Sequence, residues 1–330
     1  MEVVVSKLIF QVGILFVLMV PGILLKKCRL VQDGFGKGLS GLILYIAQPA
    51  LIFLAYLRPY SRDIFINCLW VLLFSALAHA IFITAALLCY RRVEDGHARM
   101  LRMTTIFSNA AFLGIPLIDA VLGAEATLYA TIYNITFNLV LWSLGVFICT
   151  VGKDTDGDGE VDRKRQTVRF MLRSFKTALL HPVTLAAALG LVFFFLPIES
   201  RVPIFLTDCL SMLKALVAPL SMVVIGLRLA DMKWKGAFRD KPMYLFLALR
   251  HIILPLVVLG VFKLIFLLGI TISESAELVT VIMASLPAAS SSTMFAERYN
   301  CDASYASRLV TVSTLLSIIT VPLVTALAFL

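Results

Sequence analysis

The chain has 330 residues, 60% of them hydrophobic and 15% charged, with a mean hydropathy of +0.96. A soluble domain averages about 25% charged residues, and no soluble fold of this size could hide so much apolar surface. The composition therefore requires an integral membrane protein, and the long apolar runs argue for helices rather than a barrel. The net charge of +9 needs no nucleic-acid partner, because basic residues collect in the loops of one membrane face under the positive-inside rule. Cys28, Cys68, Cys89, Cys149, Cys209 and Cys301 show no metal-ligand or disulfide spacing and read as small apolar residues. The N-terminus lacks a basic region and a small-residue cleavage site, so its first apolar segment is expected to remain as a signal anchor.

A helix needs about 20 residues to cross the hydrocarbon. Ten apolar segments meet or approach that length, over 6–25, 38–57, 64–90, 101–122, 125–150, 178–197, 203–230, 242–270, 275–297 and 302–330. Most of the 29 Lys and Arg residues fall in the connectors after the odd-numbered segments. The odd connectors are therefore expected to be cytoplasmic, with both termini outside. One long polar stretch, 151–177, separates five segments from five. An odd number of segments per half forces opposite topology on the halves, the inverted-repeat plan common to secondary transporters. Ala124-Glu125-Ala126-Thr127 resembles Cys301-Asp302-Ala303-Ser304, and Ala47-Gln48-Pro49-Ala50-Leu51 resembles Val217-Ala218-Pro219-Leu220.

Segments 4 and 9 are interrupted at matching places. Ser108 to Pro116 and Ser285 to Thr293 put proline and small or polar residues inside runs that otherwise suit a membrane span. Unwound backbone survives in lipid only where protein or a wet cavity covers it, and paired interruptions point to a transporter's binding site. Regular pairing is expected to fail between Asn109 and Gly114. Pro116 suits the first turn of a new half-helix. The second break falls near Pro287, with Ser290, Ser291 or Ser292 able to cap the half-helix beyond it. Both second halves then aim free N–H groups and positive dipole ends at the midplane, which favours an anion. Asn109 offers both a donor and an acceptor there. The alternative is a pair of proline kinks serving packing only, the reading given to Pro49, Pro219, Pro255 and Pro322.

Charges inside the segments are the other signal, because such residues are rare and usually functional or paired. Lys214 and Arg250 each fit a counter-charge for an anion or a partner in a structural ion pair; a side chain snorkelling to the surface is the other reading for both, and fits Arg250 better than the deeper Lys214. Lys263 and Arg308 read as snorkellers. Asp119 fits a coupling-proton carrier or a capped, outward-facing carboxylate, and His79 a hydrogen-bonded core residue. Asp154-Thr155-Asp156-Gly157-Asp158-Gly159 starts like a calcium loop, but Arg165 stands where the pattern wants a bidentate Glu, so the stretch reads as a solvated connector. Arg163-Lys164-Arg165 suits anionic headgroups. No metal site, cofactor or catalytic signature is present in the sequence: it has no HExxH, GxSxG or Walker A pattern.

The stretches FSNAAFLGIPL, YNITFNLVLWSLG and LPAASSSTMFAERYNCDASYASRLVTVSTLLSIITVPL resemble the auxin efflux carrier family, as does LSGLILYIAQPALIF near the start. The family includes plant auxin exporters and bacterial permeases for malate and malonate. The short 152–176 connector stands where the plant exporters carry a long loop, which points to the microbial-type members. The resemblance implies an all-α integral membrane protein of ten transmembrane helices in two inverted five-helix repeats, 1–150 and 178–330, with helices 4 and 9 broken and crossing. It implies an organic anion bound beside the crossing, with Asn109, Gly114, Pro116, Pro287, Ser290, Ser291 and Ser292 at the site. It further implies elevator-type movement of a transport domain (helices 3–5 and 8–10) against a scaffold (helices 1, 2, 6 and 7), and leaves room for a homodimer through that scaffold. The expected function is a secondary active or facilitative transporter of a small carboxylate in the plasma membrane. The alternative is a carboxylate-binding membrane sensor that does not transport.

Overall fold

The computed structural model describes residues 2–150, 176, 179–196, 202–232, 240–269 and 272–328. The calcium-loop-like stretch and the basic cluster at 163–165 lie outside them. Helices occupy the described part of every predicted segment: α1 (Ser6–Lys27), α2 (Phe35–Tyr56), α3 (Arg62–Cys89), α4a (Asp95–Ile106) and α4b (Ala110–Leu122), α5 (Ala124–Thr150), α6 (Pro182–Phe195), α7 (Ile204–Ala230), α8 (Lys241–Leu267), α9a (Glu274–Ser285) and α9b (Ser291–Arg298), and α10 (Ala303–Ala328). Seven of them, α1, α2, α3, α5, α7, α8 and α10, are long and apolar enough to cross a membrane. Among the described residues the only β pairing is an isolated antiparallel bridge between Ser108 and Ala288.

The starts of the helices follow local chemistry. Ser61 accepts a hydrogen bond from the Ile64 N–H and Ser273 from the Ala276 N–H, each satisfying one orphan donor of a first turn. His181 does the same for the Val183 N–H ahead of Pro182. Among the described residues four single π-turns widen the helices, at Ile43–Ala47 in α2, Ala110–Gly114 at the start of α4b, Leu141–Gly145 in α5 and Leu249–Ile253 in α8. Such turns recur at functional sites, and here the first three carry residues that line the central cavity.

Lipid is as apolar as leucine, so helices in it associate through close packing and polar contacts rather than by the hydrophobic effect. Two glycine contacts fix the frame accordingly. A Cβ on Gly22 of α1 would stand 2.2 Å from the Val223 carbonyl oxygen, and one on Gly226 of α7 would stand 2.1 Å from the Met19 carbonyl oxygen. The α1 and α7 backbones therefore touch, with no room for a side chain on either glycine. Gly190 of α6 lies under the Tyr56 ring of α2, where a Cβ would meet ring carbon at 2.9 Å, a looser contact that still leaves no room for a side chain. The Phe53–Phe193 edge contact at 5.2 Å extends that second pair.

Buried apolar residues form two clusters. One draws only on α3, α4, α5, α8, α9 and α10, through Phe74, Phe107, Phe137, Phe246, Phe262 and Phe295 among others. The other joins α1, α2, α6 and α7 to α3, α4b, α5, α9a and α10, through residues such as Met19, Tyr56, Leu113 and Ile282. The outer surface is apolar: the first half of α7, Ile204–Ala215, buries no residue, and Ile204, Phe205 and Met212 are each at least 75% exposed. A membrane supplies the solvent for such a face.

Gly226→Val should destabilise the fold by about 1–3 kcal/mol, as overpacking at a closed contact does. Gly260→Ala, at a helical glycine with nothing within 4 Å of the added carbon, should be nearly neutral. Thermal unfolding of the two variants in detergent checks the contrast.

Candidate functional site

The two interruptions meet. The Asn109 N–H donates to the Pro287 carbonyl at 2.8 Å, and the Ala289 N–H donates to the Phe107 carbonyl at 2.8 Å. Each unwound stretch thus uses the other to satisfy backbone groups that lipid would leave unpaired. The carboxyl ends of α4a and α9a and the amino ends of α4b and α9b all converge on this crossing.

Two side chains of one π-turn in α8 hold further backbone groups of the crossing. Arg250 donates from Nε and Nη2 to the Leu286 carbonyl at 3.0 and 2.7 Å, and from Nη1 to the Thr105 carbonyl at 3.1 Å. His251 is paired through Nε2 with Ser313 Oγ at 2.8 Å and through Nδ1 with Thr320 Oγ1 at 2.9 Å. Ser313 Oγ in turn accepts the Ala288 N–H at 2.9 Å. Thr320 Oγ1 donates to the Leu316 carbonyl, so it is free to accept from His251 Nδ1–H. Ser313 then donates to His251 Nε2, and a neutral imidazole satisfies the whole chain of bonds.

Above the crossing lies a cavity of about 1000 Å³. Its floor is Ser108, Asn109, Ala111 and Phe112 from the first break and Ala289, Ser291 and Thr293 from the second. Its walls come from Leu44, Tyr45 and Gln48 of α2, Asn134, Phe137, Asn138 and Trp142 of α5, His181 and Thr184 at α6, and Arg228 of α7. Lys26, Lys37, Glu297 and Arg298 line it as well, the last three as exposed residues. Apolar walls with a few convergent polar groups are the ordinary make-up of a ligand site. Several of those polar groups have no partner within the protein: Asn109 Nδ2, Gln48 Oε1, Asn134 Oδ1, Ser291 Oγ and Thr293 Oγ1 are all buried and unbonded. Buried polar atoms left open in this way need a ligand or water.

The charge of the lining is cationic. Lys26, Lys37, Arg228 and Arg298 face two acids, Asp231 and Glu297. Lys26 is held by Asp33 at 2.8 Å and Asp231 at 3.3 Å, and Asp33, in the connector after α1, is held below its ordinary carboxyl range by the Lys26 hydrogen bond. Arg228 lies deepest; its Nη1 donates to the Ser290 carbonyl at 3.0 Å beside the start of α9b.

The residues singled out from sequence divide by place. Asn109 and Ser291 line the cavity. Gly114, Pro116, Pro287, Ser290 and Ser292 do not; they build the crossing behind it. Gly114 has Leu286 Cδ1 2.4 Å from where a Cβ would sit, so it lets the two breaks close on each other. Pro116 is in the first turn of the regular α-helix from Ile115, but the half-helix begins earlier, at Ala110, as a π-turn. Ser290 sits at the N-cap of α9b without a capping side-chain bond. Arg250 does not snorkel: it is 0% exposed. Lys214 and Asp119 pair with each other at 2.8 Å, and Asp119 also accepts from Thr127 Oγ1 at 2.9 Å, so neither charge is free. His79 is a core residue, its Nδ1 paired with the Ser75 carbonyl at 2.7 Å. Gln48, Asn134, Asn138, Thr293 and Arg228 join the site without belonging to the residues that sequence reasoning selects. Asn134 and Asn138 carry a readable signal, two amides one turn apart on a single face of an apolar helix. Arg228 is indistinguishable in sequence from the basic residues of the cytoplasmic pattern.

A multi-pass helical protein with broken helices at the floor of a polar cavity has the make-up of a membrane transporter. The chain belongs to the membrane transport protein family, that of the auxin efflux carriers, whose model matches residues 7–325. It is 25% identical over 309 residues to an uncharacterized transporter of Methanothermobacter thermautotrophicus, across 93% of this chain and 94% of that protein.

The Lys214–Asp119 pair joins α7 to α4b while both side chains are mostly covered. Asp119→Asn and Lys214→Met should each lower the melting temperature, and the double variant should lose less than the sum. A coupling of about 1 kcal/mol from the double-mutant cycle is expected.

Proposed function

We propose that this transporter carries a small organic anion, a mono- or dicarboxylate, across the plasma membrane by an elevator-type alternating-access movement. The observation that carries the reading is the convergence of two half-helix amino ends and an unpartnered Asn109 amide at the floor of a cationic cavity. Helix amino ends bear partial positive charge and free N–H groups, and a carboxylate satisfies both. Its oxygens also suit the Asn109 Nδ2 donor, the Ser291 and Thr293 hydroxyls and the remaining Arg228 donors. Gln48 and Asn134 offer acceptors, which a hydroxyl on the solute or a bridging water would use.

An inverted repeat is supported by which helices pair. If helices 1–5 match helices 6–10, then the α1–α7 contact is the mate of the α6–α2 contact, and both are built on a glycine pressed against its partner. The crossing of α4 and α9 is its own mate. Scaffold and moving parts are supported by the buried cluster confined to α3, α4, α5, α8, α9 and α10. Several of that body's contacts with the other helices are polar and separable: Gln48 Nε2 to the Ala111 carbonyl at 3.1 Å, Arg228 to the Ser290 carbonyl, and the Lys214–Asp119 and Arg58–Glu125 pairs. The basic connectors that carry Lys26, Lys37 and Arg298 support a cytoplasmic side for the exposed charges of the cavity, and with it an inward-open conformation with both termini outside.

Purified protein in proteoliposomes should take up radiolabelled malate, malonate or indole-acetate down an imposed gradient and show counterflow. The absence of flux for every carboxylate under every gradient would sink the reading, and tight binding without counterflow would remove its transport half. Asn109→Ala should abolish the thermal stabilisation given by the transported carboxylate while the protein stays folded and monodisperse. Arg228→Gln should weaken binding about tenfold or more, the size of a lost charge-assisted bond. Wild-type affinity in both variants would put the anion elsewhere.

A further inference from the structure

Arg250 is the one arginine or lysine in the buried class among the described residues, and no described carboxylate lies within ion-pair distance of it. A guanidinium taken out of water costs several kcal/mol unless acceptors replace its hydration. Here the acceptors are main-chain carbonyls. Leu286 directly follows α9a, and Thr105 is in the last turn of α4a, so Arg250 holds the carboxyl ends of both first half-helices. Such ends carry partial negative charge on carbonyls that have no helical partner. The Phe82 ring, 4.8 Å from Arg250 Cζ, adds a second surface that attracts a cation.

In transporters built on broken helices, these carbonyl ends are where a coupling cation such as sodium is coordinated. We propose that Arg250 is a resident cation of the crossing, its guanidinium filling the place between the carboxyl ends of α4a and α9a that an inorganic cation would otherwise occupy. It is a positioning residue: it does not line the cavity, and acts on the anion by holding both breaks in register, so that their amino ends face the same solute. The neighbouring His251 secures the N–H side of the same crossing through Ser313, so one π-turn of α8 grips both polarities of backbone. Transport by this chain then needs no sodium ion at that place.

The inference concerns the protein without substrate, so its test is separable from the carboxylate reading. Full-length Arg250→Ala, Arg250→Met and Arg250→Lys are purified, and melting temperatures are measured in choline chloride and in sodium, potassium or guanidinium chloride at equal ionic strength. Arg250→Ala, which opens the space, should melt below wild type and gain more from at least one small cation than wild type does. Arg250→Met, which fills the space without charge, should melt low and show no such extra gain. Equal cation increments in Arg250→Ala and wild type, or a wild-type melting temperature in Arg250→Met, would overturn the proposal. Should neither variant fold, Arg250→Lys decides it. Its folding, with no extra gain from small cations, supports a resident charge, and its failure to fold would show that shape rather than charge is required.

Discussion

Backbone that leaves the helix inside a membrane must find partners within the protein. Everything at the centre of this molecule stems from that constraint. Two chain segments lose their helical bonds near Ser108 and Ala288, and they recover two by pairing with each other. The Leu286 and Thr105 carbonyls go to Arg250, and the Ala288 N–H goes to Ser313. The amino-end side stays open, with Asn109 Nδ2 and the hydroxyls of Ser291 and Thr293. The crossing is therefore electrically sorted. Its negative ends are occupied by a fixed cation, and its positive ends are left facing a cavity.

The surrounding packing serves that arrangement. Glycines at Gly22, Gly226 and Gly190 bring four helices into backbone or ring contact, which is how helices bind tightly where lipid competes equally for apolar side chains. Gly114 does the same at the crossing, where Leu286 takes the room a side chain would need. The contacts that tie the crossing and its neighbours to α2 and α7 include several of a different kind, hydrogen bonds and ion pairs whose partners can be exchanged. The helices of the crossing are thus held to one another by aromatic packing and to the rest in part by exchangeable polar contacts.

Much of this is legible in the sequence. The breaks at Asn109 and Pro287 stand out because proline, serine and asparagine interrupt runs that lipid would otherwise accept, and the helices overlap the predicted segments because apolar runs seed them, with α4a starting earlier, at Asp95, and α6 covering only Pro182–Phe195. The roles inside the site are less legible. Arg250 and Lys214 look alike in sequence, each a basic residue within an apolar run. One caps two carbonyl ends and the other pairs with Asp119. Gly114, Pro116 and Pro287 share a motif with Asn109, yet they build the crossing while Asn109 faces the cavity. Gln48 and Asn134 lie inside quoted motifs, yet nothing in those motifs marks them as site residues, because a polar residue's worth there depends on what stands opposite it.

The sequence by itself determined that the chain lives in a membrane, where its helices run and where two of them fail, because hydropathy, proline and glycine act locally. Tertiary structure alone decided which broken end meets which, which charge is spent on backbone and which amide is left unpaired. Those outcomes rest on partners far apart in the chain: the two carbonyls that Arg250 holds lie 36 and 145 residues from it, and Asn109 meets Pro287 across a still longer separation. No local pattern encodes such a distance.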